Sequence, residues 1–172
     1  HYQVFTDNND ELHIVTTALP KNSESDSLYA GSPGAGYYHL HNSDPYNPGG
    51  WSASLIRDMS DSYKVQMKPY FPTWQYLYAD VALSLSGETI WTVTSAIRDL
   101  IDDGDNQYTF DDLDLFGSVS TNNGLTWTDM GNLTDTPSGG AYGLNVEIHP
   151  HLAPTANDNQ CFMTFQMPAF DG

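Results

Sequence analysis

The chain has 172 residues, which is enough for a domain with a sizeable hydrophobic core. Aromatic residues make up 13% of it, including 11 Tyr and 4 Trp, and this composition favours β-structure over a helical bundle. The formal net charge is -17, from 22 acidic residues against 5 Lys plus Arg. Such a charge disfavours nucleic acid and anionic lipid as partners. The single cysteine excludes an internal disulfide, and no apolar run has the length of a membrane span.

Ten segments have the alternating or β-branched and aromatic pattern that predicts β-strands. They span residues 2–6, 12–17, 37–42, 51–56, 77–85, 89–96, 113–120, 125–133, 145–153 and 160–166. Polar or Pro/Gly-rich stretches lie between several of them, at residues 7–10, 19–36 and 43–50. The spacing of Ile97, Leu100 and Ile101 predicts one short helical turn, followed by an acidic loop at 102–112.

The predicted strands recur along the chain. Residues 11–17 align with residues 88–94 at an offset of 77, and Trp51 aligns with Trp127 at an offset of 76. A weaker third copy follows at an offset of 71. Three strands, a turn and a fourth strand make one blade of a β-propeller. The pattern therefore predicts an all-β domain over 1–172, with blade-like repeats at about 1–60, 76–133 and 145–172, the last truncated.

This set of blades is incomplete, because a closed propeller has at least four. We therefore expect the chain to be part of a larger propeller. The alternative fold is a complete β-sandwich, which the length permits. The first residue is His1, with no Met, basic region or apolar signal core after it, which favours a processed product or an excerpt of a longer protein.

A polar corner between the predicted strands at 113–120 and 125–133 carries the most specific motif. Asn123-Gly124 is a hairpin-turn signal, because both positions tolerate positive φ. The motif residues are Ser120, Asn122, Gly124, Thr126 and Trp127. Their spacing resembles the Asp-box, or BNR repeat, of sialidase-like β-propellers, which reads Ser-x-Asp-x-Gly-x-Thr-Trp. Asn122 departs from it, but its side-chain carbonyl can still cap the turn.

The resemblance implies architecture more than catalysis, because the family's Asp-box is a structural turn far from the active site. Family enzymes hold a substrate carboxylate with three arginines. This chain has only Arg57 and Arg98, each followed by Asp, and no Arg-Ile-Pro motif. The carboxylates Asp80, Glu88 and Glu147 lie near predicted strands, but nothing in the sequence pairs them as glycoside hydrolysis requires.

Two kinds of metal site are candidates. His39 with His41, and His149 with His151, each place two imidazoles on one face of a strand, although two ligands alone are too few for zinc. Packing or a surface position is the favoured role of these histidines. The better candidate is a Ca²⁺ site in the acidic loop, because hard oxygen ligands cluster there around a Gly turn. Its candidate ligands are Asp102, Asp103, Asp105, Asp111 and Asp112.

Exposed aromatic rings could stack on carbohydrate, although alternating aromatics in strands more often lie in a core. The candidate sugar-stacking residues are Tyr37, Tyr46, Trp51 and Trp74. The chain is thus predicted to be a non-catalytic structural or recognition segment of a secreted or cell-surface protein. Its expected partners are the rest of a propeller, another extracellular protein or carbohydrate. The alternatives are a sialidase-like exo-acting glycoside hydrolase, with catalytic residues partly outside this chain, and a Ca²⁺-stabilised adhesin or filament subunit.

Overall fold

A computed structural model describes residues 2–18, 34–44, 46–58, 79–102, 108–136 and 147–167. Within these ranges the protein is all-β, with ten strands in antiparallel sheets of four, four and two strands and with no helix. The all-β prediction is therefore confirmed. Since the described part contains no helix, it also contains none long and apolar enough to cross a membrane.

The first sheet is an antiparallel meander in which each strand pairs with the next along the chain. Its strands are β1 (Tyr2–Thr6), β2 (Leu12–Ala18), β3 (Gly36–Asn42) and β4 (Trp51–Asp58). The predicted polar turn between β1 and β2 is present. The Asp7 side chain holds it by accepting hydrogen bonds at Oδ1 from the backbone N–H groups of Asn9 and Glu11, both at 2.9 Å.

The second sheet repeats this topology. Its strands are β5 (Ala79–Leu83), β6 (Ile90–Asp102), β7 (Tyr108–Ser120) and β8 (Thr128–Asn132). A third sheet pairs β9 (Ile148–Leu152) with β10 (Met163–Gln166). The order of strands in the first two sheets agrees with the sequence repeat, since β5 begins 77 residues after β1.

The main hydrophobic core lies between the first and second sheets. Val15, Tyr37 and Ile56 from the first sheet pack with Ala79 from the second. Four partly buried residues extend this cluster, namely Phe5, Val81, Ala96 and Trp127. Both sheets therefore bury an apolar face against each other, as their alternating sequences require.

Successive sheets also contact each other through residues that lie about one repeat length apart. The Gln3 amide donates to Asp80, which lies 77 residues later, across the first and second sheets. Asp80 in turn accepts a hydrogen bond of 2.6 Å at Oδ2 from the backbone N–H of Leu152, 72 residues further on. Asn8 and Leu85, again 77 residues apart, make a similar contact at 3.2 Å. The first strands β1, β5 and β9 are thus joined in series.

Three sequence predictions need correction here. No helical turn is present at Ile97–Ile101, because β6 runs on to Asp102. Its pairing with β7 shifts register between Ile97 and Asp99 and again between Asp99 and Leu100. Such irregularities break the two-residue period of a strand, which is why the apolar spacing resembled a helix. The predicted acidic loop at 102–112 is also shorter, because β7 begins at Tyr108, and β8 begins at Thr128 rather than at 125.

Candidate functional site

The corner after β7 is built around two side chains, Ser120 and Asn122. Ser120 Oγ accepts a hydrogen bond of 2.9 Å from the Gly124 N–H and donates to Asn122 Oδ1 at 3.0 Å. Asn122 Oδ1 also accepts from the Thr126 N–H at 2.9 Å, and its Nδ2 donates to Thr126 Oγ1 at 2.7 Å. Asn123 and Gly124 both have positive φ, 59° and 77°. The side-chain carbonyl of Asn122 therefore caps the turn, as the sequence predicted.

This corner docks on the first sheet through Trp127 and Gly124. Trp127 Nε1 donates to Ser54 Oγ at 3.0 Å, and Ser54 Oγ donates to the Gly124 carbonyl at 2.5 Å. The Trp127 ring also meets His39 edge-on, with ring centroids 5.6 Å apart. The corner of the second sheet is therefore a contact surface between sheets as well as a turn.

Gly124 lies directly against the His39 ring. A Cβ placed on Gly124 would come within 2.1 Å of His39 Cε1 and 2.2 Å of its Nδ1. This position therefore requires glycine for two reasons, its positive φ and the absence of room for a side chain.

Three histidines share one face of the first sheet beside this corner. His13 on β2 is paired in register with His41 on β3, and His39 lies two residues before His41. The ring centroids of His13 and His41 are 4.7 Å apart, and those of His13 and His39 are 5.1 Å apart. Phe5 stacks on the other side of His13, at 4.8 Å. We call His13, His39 and His41 the histidine cluster.

Hydrogen bonds fix the proton positions in the cluster. The Gly124 carbonyl can only accept, so His39 Nδ1, 3.2 Å away, must carry a proton. In a neutral imidazole His39 Nε2 is then an acceptor, and it lies 2.9 Å from His13 Nδ1, which must be the donor. The remaining His13 nitrogen, Nε2, is left with a lone pair. It is buried and has no hydrogen-bond partner in the described part of the chain.

Carboxylates lie at the edge of the cluster. Glu11 Oε2 is 2.7 Å from His41 Nε2 and accepts a hydrogen bond of 2.9 Å from Asn123 Nδ2. Asp7 Oδ2 lies 3.8 Å from His13 Nε2, which is longer than a hydrogen bond. Glu11 is therefore held from both sheets, by His41 of the first and by Asn123 of the second.

Burial keeps two of the histidines neutral. Desolvation, reinforced by the nearby His13, lowers the pKa of His39 from 6.5 to about 4. Burial also lowers the pKa of His13, with His41 adding to the effect. Both side chains are fully or almost fully excluded from solvent. Neutral imidazoles can accept hydrogen bonds or bind metal ions, whereas imidazolium cannot.

These pKa values predict a loss of stability in acid. Between pH 6.5 and about 4 the unfolded chain binds a proton at residue 39 that the folded protein does not, so stability falls as the pH falls through this window. The shift corresponds to roughly 3 kcal/mol in the free energy of unfolding. Urea unfolding at both ends of the window measures it.

Acidification also relieves repulsion among the many carboxylates, so the comparison is between the wild type and His39→Gln. We expect the variant to have a lower free energy of unfolding at neutral pH than the wild type. Its free energy of unfolding should also fall less as the pH is lowered from 6.5 to about 4. An equal pH dependence in both proteins would contradict the assignment.

None of the five predicted Ca²⁺ ligands has a side chain within the described part of the structure. Asp103 and Asp105 fall outside the described residues. Asp102 ends β6, while Asp111 and Asp112 lie within β7 rather than in a loop, and their side chains are also outside the described part. A Ca²⁺ site at these residues stays a prediction.

The candidate sugar-stacking residues differ in their exposure to solvent. Tyr37 is a core residue, only 3% exposed, so its ring is not available to a sugar, and burial raises its pKa. Tyr46 is 95% exposed and Trp51 is 42% exposed, both in or beside the corner between β3 and β4. Trp74 falls outside the described residues.

The second predicted histidine pair does not form one face. His149 has a φ of 52°, which interrupts the extended backbone that the two-residue period assumes. The His151 side chain is 76% exposed, with Nδ1 3.6 Å from Asp80 Oδ2. Packing is thus the role of His39, whereas His151 lies at the surface.

Sequence reasoning missed Glu11 and His13. The register that sets His13 against His41 is a property of the β2–β3 pairing and not of either strand alone, and a slip of one residue would move His13 to the other face. The one available signal was the polar turn at 7–10, which places Glu11 directly before β2. Comparison with protein-family models, curated proteins and solved structures found no match to this chain.

Proposed function

We propose that this chain is a series of propeller-type blades of the Asp-box type. It would act as a structural or recognition module of a secreted or cell-surface protein, and its residues would carry no catalysis. The carrying observation is a series of contacts between residues that lie about one repeat length apart. Gln3 meets Asp80 and Asn8 meets Leu85 at 77 residues, and Asp80 meets Leu152 at 72.

Contacts of this kind are what a rotational array requires. In a propeller each blade turns its first strand toward the axis, so neighbouring first strands meet at equivalent residues. The isolated parallel bridge between Ser84 and Ala156, also 72 residues apart, repeats the relation between the second and third sheets. The Asp-box-like corner of the second sheet, which docks on the first sheet through Trp127, supports the same architecture.

The environment of Arg57 supports a non-catalytic role. Arg57 NH1 lies 3.0 Å from Asp129 Oδ1, and the guanidinium lies over the Phe116 ring at 4.2 Å from its centroid. Both partners belong to the second sheet, so the arginine contributes to packing between sheets. A side chain held in this way is not available to clamp a substrate carboxylate.

The test of the non-catalytic proposal is hydrolysis of a fluorogenic sialoside by the full-length protein. We expect no turnover above the uncatalysed rate. Turnover that is abolished by substituting an axis-facing carboxylate would overturn the proposal in favour of the glycoside hydrolase.

A carbohydrate-binding role gives a separate prediction for the corner between β3 and β4. If Tyr46 and Trp51 stack on a sugar, Tyr46→Ala and Trp51→Ala should each weaken binding to immobilised oligosaccharides by about 10-fold or more, the effect of truncating an aromatic anchor. Tyr2→Ala, which removes another exposed ring, is the matched control. Equal binding by all three variants and the wild type would exclude this corner as the sugar site.

A further inference from the structure

We propose that Glu11, His13 and His41 bind one zinc ion beside the corner of the second sheet. This site goes beyond the structural role proposed above and does not depend on it. Each of the three residues offers one ligand atom, and these atoms all lie within 4.8 Å of one another. No other set of three or more His, Cys, Asp or Glu side chains in the described ranges is so close.

The separations suit a small ion. Zinc binds nitrogen and carboxylate oxygen at about 2.0–2.2 Å, so its ligand atoms lie roughly 3.3 Å apart. Glu11 Oε2 and His41 Nε2 are 2.7 Å apart, and both side chains are partly exposed. Both side chains must therefore rotate to admit the ion, His41 also because its ring is stacked on that of His13 with 22° between the planes. Their partial exposure provides a route from solvent.

An unpaired nitrogen is the second observation that points to a metal. His13 is 0% exposed, and its Nε2 has no hydrogen-bond partner. Leaving a buried polar atom unpaired normally costs about 1–3 kcal/mol. Because the proton of His13 lies on Nδ1, facing His39, Nε2 is the nitrogen that offers a lone pair, and Asp7 Oδ2 lies 3.8 Å from it as a further carboxylate beside the site. A metal ion would satisfy this atom.

The ligand set favours zinc over Ca²⁺, the ion predicted for the acidic loop. Ca²⁺ and Mg²⁺ take oxygen ligands almost entirely, whereas two imidazoles with one carboxylate are a common zinc set that leaves a position for water. The strongly negative net charge attracts any cation, but it does not select among them. Selection comes from the two nitrogens.

Outer partners hold the ligands in place, as they do in established metal sites. His13 Nδ1 is fixed through His39 by the Gly124 carbonyl, and Glu11 is fixed by Asn123 Nδ2. Gly124 and Asn123 both belong to the corner of the second sheet. The site is therefore complete only when the two sheets are docked, and zinc would stabilise that docking.

Zinc uptake by the full chain tests the proposal. The protein is stripped with a chelator, dialysed against zinc chloride and assayed for bound zinc, and its affinity is measured by competition with a chromophoric chelator. We expect one ion per chain and a higher melting temperature with zinc, since an ion that binds only the folded state stabilises it. Calcium chloride should not displace the zinc.

Four variants distinguish the proposed zinc ligands from an outer partner and from a histidine elsewhere on the surface. Glu11→Gln and His41→Gln, both at partly exposed positions, should lower zinc affinity by at least about 100-fold, while Asn123→Ala should lower it by about 10-fold, as loss of an outer partner does. His151→Gln is the matched control and should bind as the wild type does. Circular dichroism of the metal-free variants checks their folding.

The proposal is overturned if the wild type takes up no zinc. It is equally overturned if folded Glu11→Gln and His41→Gln retain wild-type affinity, or if calcium displaces the zinc at equal concentration.

Discussion

Gly124→Ala is expected to lower the free energy of unfolding by about 4 kcal/mol. Part of this loss, about 1–2 kcal/mol, is the cost of a side chain at the positive φ of 77°. The rest arises because the new methyl group would overlap the His39 ring, with its Cβ 2.1 Å from Cε1. Urea unfolding followed by Trp fluorescence measures the loss.

Gly131→Ala is the matched control for this substitution. Gly131 has almost the same φ, 76°, but a Cβ there would meet nothing within 4 Å. It should therefore lose only the conformational part, about 1–2 kcal/mol. If the two substitutions are equally costly, the close contact between Gly124 and His39 is absent.

Asp80→Ala is expected to lower the free energy of unfolding by about 3 kcal/mol or more. Asp80 Oδ1 accepts from the Val81 N–H at 3.0 Å and from the Gln3 amide, while Oδ2 accepts from the Leu152 N–H at 2.6 Å. Its removal would leave two backbone donors and one amide without their charged acceptor, and each such loss is costly where water is excluded. Thermal and urea unfolding both report the change.

Glu88→Ala is the control, because Glu88 is an exposed carboxylate near the same sheet and its removal changes the net charge equally. We expect that substitution to change stability by less than about 0.5 kcal/mol. A wild-type melting temperature for Asp80→Ala would show that the series of contacts through β1, β5 and β9 contributes nothing to holding the sheets together.

Local sequence patterns predicted much of this fold. The first strand was predicted at residues 2–6 and is Tyr2–Thr6, and β2 and β3 differ from their predicted bounds by one residue each. The Asn123-Gly124 turn also formed as expected, because its backbone requirement is local. The repeat further indicated that two sheets share one topology, which their strand orders confirm.

What could not be predicted depends on register and on contacts distant in sequence. The irregular pairing of β6 with β7 gave part of a long strand the apolar spacing of a helical turn. This pairing cannot be read from either strand alone. His13 became part of the histidine cluster through its pairing with His41. Glu11 joined it through His41, 30 residues away, and Asn123, 112 residues away. The candidate site thus combines residues of two sheets, and no single sequence motif could predict it.

We propose that successive sheets are blades arranged about one axis, and a crystal structure of the full-length protein is the decisive test. We expect β1, β5 and β9 to lie nearest a common axis, with Gln3, Asp80 and Leu152 joined in series around it. A closed two-sheet sandwich in which no axis relates β1, β5 and β9 would refute the proposal.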